Sequence, residues 1–98
     1  MLTKAVSKNG KSYRVTFEIP PEVGAQTASL CGEFNRWDAT AHPMKRRKDG
    51  SFTVTASLKS GQAYRFRYLL DGDRWENDWA ADTYLPNEFG SEDSVIQL

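Results

Sequence analysis

Apolar and polar side chains alternate one for one along much of this chain. In YRVTFEI, Tyr13, Val15, Phe17 and Ile19 share one face while Arg14, Thr16 and Glu18 share the other, the pattern of a half-buried strand. Pro20 and Pro21 end it, since proline brings no N–H to a ladder. ASLCGEF keeps Ala28, Leu30 and Phe34 in phase, and Gly32 among them predicts a bulge or a close backbone approach. MKRRKDGSFTVTASL reads as a hairpin turned at Asp49 and Gly50, with Phe52, Val54, Ala56 and Leu58 on one face. In AYRFRYLL, Tyr64, Phe66, Tyr68 and Leu70 oppose Arg65, Arg67 and Leu69, and Asp71 and Gly72 make another turn. SVIQL predicts a short closing strand. No stretch has a helical period, and no repeat or low-complexity linker interrupts the pattern.

Short strands punctuated by turns at this density predict an all-β, immunoglobulin-like β-sandwich of about seven antiparallel strands. Residues 1–98 are expected to form one domain with a single core. The chain is 39% hydrophobic and 27% charged, too apolar for intrinsic disorder. Its 13 basic and 13 acidic residues cancel, which gives no case for nucleic acid or an anionic membrane as partner. Lys45, Arg46, Arg47 and Lys48 read as a solvated edge strand, where basic side chains discourage sheet-to-sheet pairing. No apolar run is long enough to span a bilayer and the N-terminus has no signal-like segment, so a cytoplasmic protein is expected. One Cys and one His offer neither an internal disulfide nor a zinc set, and no metal or cofactor is expected. Cys31 reads as a small core hydrophobe and His42 as an ordinary loop histidine.

Two carboxylate pairs, Glu76 with Asp78 and Asp71 with Asp73, invite a hydrolytic reading. Glycoside hydrolysis needs two carboxyls facing across a sugar, one of them in a dry pocket. These acids sit in turn-rich polar sequence, which predicts turn geometry and solvated charge instead. The chain is therefore expected not to be an enzyme. The three tryptophans are more informative. Trp37 follows a strand in GEFNRWD, and Trp75 and Trp79 follow the Asp71 turn in apparent loops. Trp79 taken alone reads as a packing residue. Trp37 and Trp75 remain open between core packing and a ligand platform. A pyranose ring has an apolar C–H face and a hydroxyl rim. Indoles with a nearby Arg67 could take the one out of water and hydrogen-bond the other.

LCGEFNRWD, then YRFRYLLDGDRWENDWAAD, then NEFGSEDSVIQL resemble, in this order and spacing, carbohydrate-binding module family 48. That is the glycogen- and starch-binding module ahead of the catalytic barrel in isoamylases and glycogen branching enzymes. The stretch is also similar to the glycogen-binding domain of the β subunit of AMP-activated protein kinase. The resemblance runs from about Tyr13 to the C-terminus and implies an early-set sandwich without catalysis. It implies that Trp37 and Trp75 stack on glucose units and that Arg67 contacts sugar hydroxyls. It further implies that Phe89 inserts at the glucan, with Asp93 standing where the kinase domain has an amide and Ser91 between them. Three departures stand out: the acid at Asp93, one extra residue between the Asp-Gly turn and Trp75, and Trp79 where proline is common.

The expected partner is an α-1,4/α-1,6-glucan such as glycogen or a maltooligosaccharide. Homodimerisation, or many chain ends on one particle, would raise a modest affinity. The alternative is a regulatory or scaffold module that binds enzymes of glycogen metabolism and has lost sugar binding. Glycoside hydrolase or branching activity ranks last, having only fold analogy behind it.

Overall fold

Nine strands build two antiparallel sheets in a computed structural model that describes residues 1–98. The strands are β1 (Leu2–Val6), β2 (Ser12–Ile19), β3 (Ala28–Gly32), β4 (Lys45–Arg46), β5 (Phe52–Lys59), β6 (Ala63–Leu70), β7 (Arg74–Glu76), β8 (Thr83–Pro86) and β9 (Glu92–Gln97). One sheet runs β1-β2-β5-β4; the other runs β3-β6-β9-β8, with β7 also paired to β6. This is the expected all-β, immunoglobulin-like sandwich.

The alternating strands form its centre. Val15, Phe17 and Ile19 of β2, Phe52, Ala56 and Leu58 of β5, and Phe66, Tyr68 and Leu70 of β6 are buried in one core with Leu30 and Ile96. Phe17, Phe66 and Tyr68 meet edge to face, with ring centroids 5.2 and 5.7 Å apart, the preferred geometry for such pairs. Lys45 and Arg46 are exposed on the edge strand β4, as the charge run implied.

The structure adds three strands to those the alternation predicts: β1, β7 and β8. β1 is mostly exposed and β7 has three residues, so neither shows an apolar period. β8, TYLP, ends in a proline and lies at a sheet edge, where a missing N–H is tolerated. Phe34 does not continue β3. It sits in a 3₁₀ turn over residues 33–35, packed against the core and 6.0 Å from the rings of both Phe17 and Tyr64. Gly32 marks a close approach: a Cβ there would lie 2.8 Å from the Arg65 carbonyl oxygen and 2.7 Å from the Phe34 ring. Cys31 is fully buried but outside the main core. It lies opposite Arg67 in register, on the face away from Leu30, and burial, with Asp38 nearby, pushes its thiol up.

Candidate functional site

β6 sends Arg65, Arg67 and Leu69 to the outer face of its sheet, and a cleft of about 890 Å³ opens along that face. Its lining includes Trp37, Arg67, Trp75 and Phe89, with Arg65 and Asp93 between them. Four elements thus converge on it: the turn after β3, the centre of β6, β7, and the β8–β9 hairpin.

Trp37 is delivered by an unusual turn. The 3₁₀ turn closes on Arg36 with φ 57°, and Trp37 follows with φ 59°. Two consecutive side-chain-bearing residues are therefore left-handed, at a cost of about 1–2 kcal/mol each. Such outliers persist only where their surroundings over-determine them. Here the Trp37 N–H donates to the Gly32 carbonyl at 2.9 Å. Asn35 braces the same turn from inside: its Oδ1 accepts the Gly32 N–H at 2.9 Å, and its Nδ2 donates to the Leu30 carbonyl at 2.9 Å. Asp38 closes the far side, with its carboxylate held below the usual range by the Thr40 hydroxyl and N–H.

Trp75 is held differently. Sequence reasoning put it in a loop, whereas it lies on β7, opposite Leu69 in the antiparallel register with β6. That register sets its indole beside Arg67, whose guanidinium carbon is 5.6 Å from the ring centroid, a cation–π geometry. The Arg67 Nε is buried and has no hydrogen-bond partner. Asp71 anchors the preceding turn by accepting the N–H groups of Gln26 and Thr27 at 2.8 and 3.0 Å. Those bonds, Thr27's first, hold its carboxyl below the ordinary value.

Phe89 stands at the tip of the β8–β9 hairpin and is 82% exposed. Asn87 shapes that tip, its Oδ1 accepting the N–H groups of Phe89 and Ser91. Asp93 is nearly buried, and both its oxygens are engaged, by Arg65 Nη1 at 3.3 Å and Asn87 Nδ2 at 3.1 Å. Its carboxylate ties hairpin to sheet. Ser91 does not line the cleft; its hydroxyl is bonded to Asn87. The cleft thus brings together Trp37, Arg67, Trp75, Phe89 and Asp93, and leaves Ser91 outside.

Sequence reasoning missed Arg65, Asn87, Glu33 and Glu88, which also line the cleft. Asn-Glu-Phe-Gly between two strands is a turn signal that would have singled out Asn87. Arg65 is reached by the same period-two rule that put Arg67 on the outer face. Two readings are corrected. Trp79 is not a packing residue: it is 57% exposed and does not line the cleft. Asp78 is not a solvated turn acid: it is 2% exposed. Its Oδ2 accepts the Tyr68 hydroxyl and the N-terminal ammonium, each at 2.6 Å, and its Oδ1 accepts the Ala80 N–H. Burial first, and then Asp78, push the Tyr68 hydroxyl far above its usual value. No three His, Cys, Asp or Glu side chains gather where they would hold a metal ion.

Comparison with known proteins bears on this cleft. The profile of carbohydrate-binding module 48, described as the isoamylase N-terminal domain, matches residues 22–85. The 1,4-alpha-glucan branching enzyme GlgB of Aquifex aeolicus is 32% identical over 74 residues, 74% of this chain and 11% of that protein. The 1,4-alpha-glucan-branching enzyme of Aspergillus oryzae is 49% identical over 37 residues, 38% of this chain and 5% of that protein. The chain therefore corresponds to a small part of either relative.

Proposed function

The chain belongs to the carbohydrate-binding module 48 family, and from that premise we propose that it is a non-catalytic α-glucan-binding module whose ligand lies in the cleft between Trp37 and Trp75. The observation that carries this reading is the cleft's composition. Three aromatic rings, Trp37 half-buried and Trp75 and Phe89 exposed, line it together with Arg67, whose guanidinium lies beside the Trp75 indole. A glucose unit has the complementary surface. Its C–H face leaves water against an indole, worth about 25 cal/mol per Å² of apolar area removed, and its hydroxyls accept from guanidinium N–H groups. Phe89, projecting from its hairpin, adds a third apolar contact along a chain of several sugars. The affinity is modest, because an open cleft covers a small area.

Binding without hydrolysis fits the acids of the cleft. Asp93 is locked between Arg65 and Asn87, and Glu33 Oε1 accepts the Arg65 N–H at 2.7 Å. Glu88, the third acid of the cleft, stands alone where hydrolysis needs two carboxyls facing each other across the sugar.

Titration with maltoheptaose, followed by tryptophan fluorescence and calorimetry, tests the reading. Saturable binding is expected, weakened about ten-fold or more in Trp37→Ala and in Trp75→Ala, a loss of about 1.4 kcal/mol or more for each indole. An unchanged titration in the double variant overturns it. The exposure of Phe89 also favours a second reading, a protein partner docking on the hairpin tip. That reading requires a complex which excess maltoheptaose does not compete away.

A further inference from the structure

His42 lies outside the cleft, yet it completes the brace beneath Trp37. Its backbone carbonyl accepts the Leu30 N–H at 2.9 Å, which ties residues 42–44 to the edge of β3. Its ring packs edge-on to Phe34 with centroids 6.1 Å apart. Its Nδ1 lies 2.9 Å from Asn35 Nδ2.

The chemistry of that last contact follows from the other bonds of Asn35. The Gly32 N–H requires an acceptor at Oδ1, and the Leu30 carbonyl requires a donor at Nδ2. The amide cannot be turned over without breaking both. An NH2 group is only a donor, so His42 Nδ1 must accept, and the ring hydrogen must be on Nε2. A protonated ring carries hydrogen on both nitrogens, and two donors would then face each other. The ionisable groups around this turn are Cys31 on β3, Glu33 on the 3₁₀ turn, Arg36 and Asp38 on the loop, and Tyr64 on β6. None makes a hydrogen bond or ion pair with the ring.

We propose that His42 is a positioning residue for the cleft: its neutral ring, hydrogen on Nε2, holds the Asn35 brace that keeps Arg36 and Trp37 left-handed, and removing the Nδ1 acceptor loosens that turn and weakens ligand binding. The link to affinity rests on the glucan reading above; the brace itself does not.

The experiment has two arms. His42 is the only histidine of the chain, so nitrogen NMR of labelled imidazole reports its tautomer without ambiguity. The Nε2–H form at about pH 8 supports the brace, and the Nδ1–H form overturns it. Calorimetry with maltoheptaose compares wild type with two variants, and circular dichroism verifies that each is folded. His42→Leu, which removes the acceptor, is expected to bind about five- to ten-fold more weakly, the worth of one hydrogen bond. His42→Asn, which offers an oxygen where Nδ1 was, is expected to match wild type. A His42→Leu variant that binds as wild type does, or a His42→Asn variant as weak as His42→Leu, overturns the proposal. Absence of binding by wild type overturns the glucan reading instead, and the NMR arm then decides the brace alone.

Discussion

Trp37 reaches the cleft from a turn in which two consecutive residues are left-handed, whereas Trp75 reaches it from a three-residue strand in ordinary antiparallel register. The first indole is aimed by side-chain hydrogen bonds that hold an unfavourable backbone in place. The second is aimed by the sheet itself, and its neighbour Arg67 lies beside it because β6 alternates. A strained turn can point a ring where no strand leads. In exchange it depends on every member of its brace, Asn35 above all. A paired strand tolerates more change but offers only the directions that the pleat allows.

The contrast is tested most severely at Gly32, whose missing side chain lets the turn fold against β6. Gly32→Val places carbon within 3 Å of a backbone carbonyl and of the Phe34 ring. A destabilisation of about 3 kcal/mol is expected, and Tm by calorimetry should fall by about 10 °C or more for a domain of this size. Next comes Asn35→Ala, which strips partners from the Gly32 N–H, the Leu30 carbonyl and His42 together. About 2 kcal/mol is expected to be lost in urea unfolding, together with maltoheptaose affinity. If both substitutions prove silent, the turn is not held as described. Arg36→Gly acts in the opposite direction. It relieves one left-handed residue and should raise stability by about 0.5–1 kcal/mol, after allowing for glycine's greater freedom when unfolded.

The smallest effect belongs to the Trp75 side, at Asp71. Its carboxyl is held below the ordinary value by the Thr27 and Gln26 N–H groups. The stabilisation it gives is therefore fully present above the unfolded value, about pH 4, and is lost as pH falls through the folded one. Wild-type Tm should decline below about pH 4 more steeply than that of Asp71→Asn. Equal slopes would show that the Trp75 hairpin does not use this charge.

What was legible in the sequence divides along the same line. β2, β5 and β6 announced themselves because each puts one face into the core, and that periodicity is local. The outward aim of Arg67 followed from the same rule. β7 was illegible because its three residues carry no period of their own and become a strand only by pairing with β6. The fate of Asp78 was hidden in the same way. The groups that stabilise it, the Tyr68 hydroxyl and the N-terminal ammonium, lie 10 and 77 positions away in sequence. Trp79 misled because an indole in a short polar turn says nothing of which side it faces. By sequence His42 reads as an ordinary loop histidine. Only the geometry of the Asn35 amide, fixed by two backbone groups, makes the state of its ring matter.

One consequence of the Trp37 turn concerns time rather than strength. Residues 32–38 are cross-tied by the Trp37, Asp38 and Gly32 N–H groups and by the Asn35 amide, so little motion remains for a ligand to arrest. Association then needs no rearrangement on that side of the cleft and is governed by encounter. If the cleft takes glucan as proposed, sugars of different length should arrive at similar rates and differ in how long they stay.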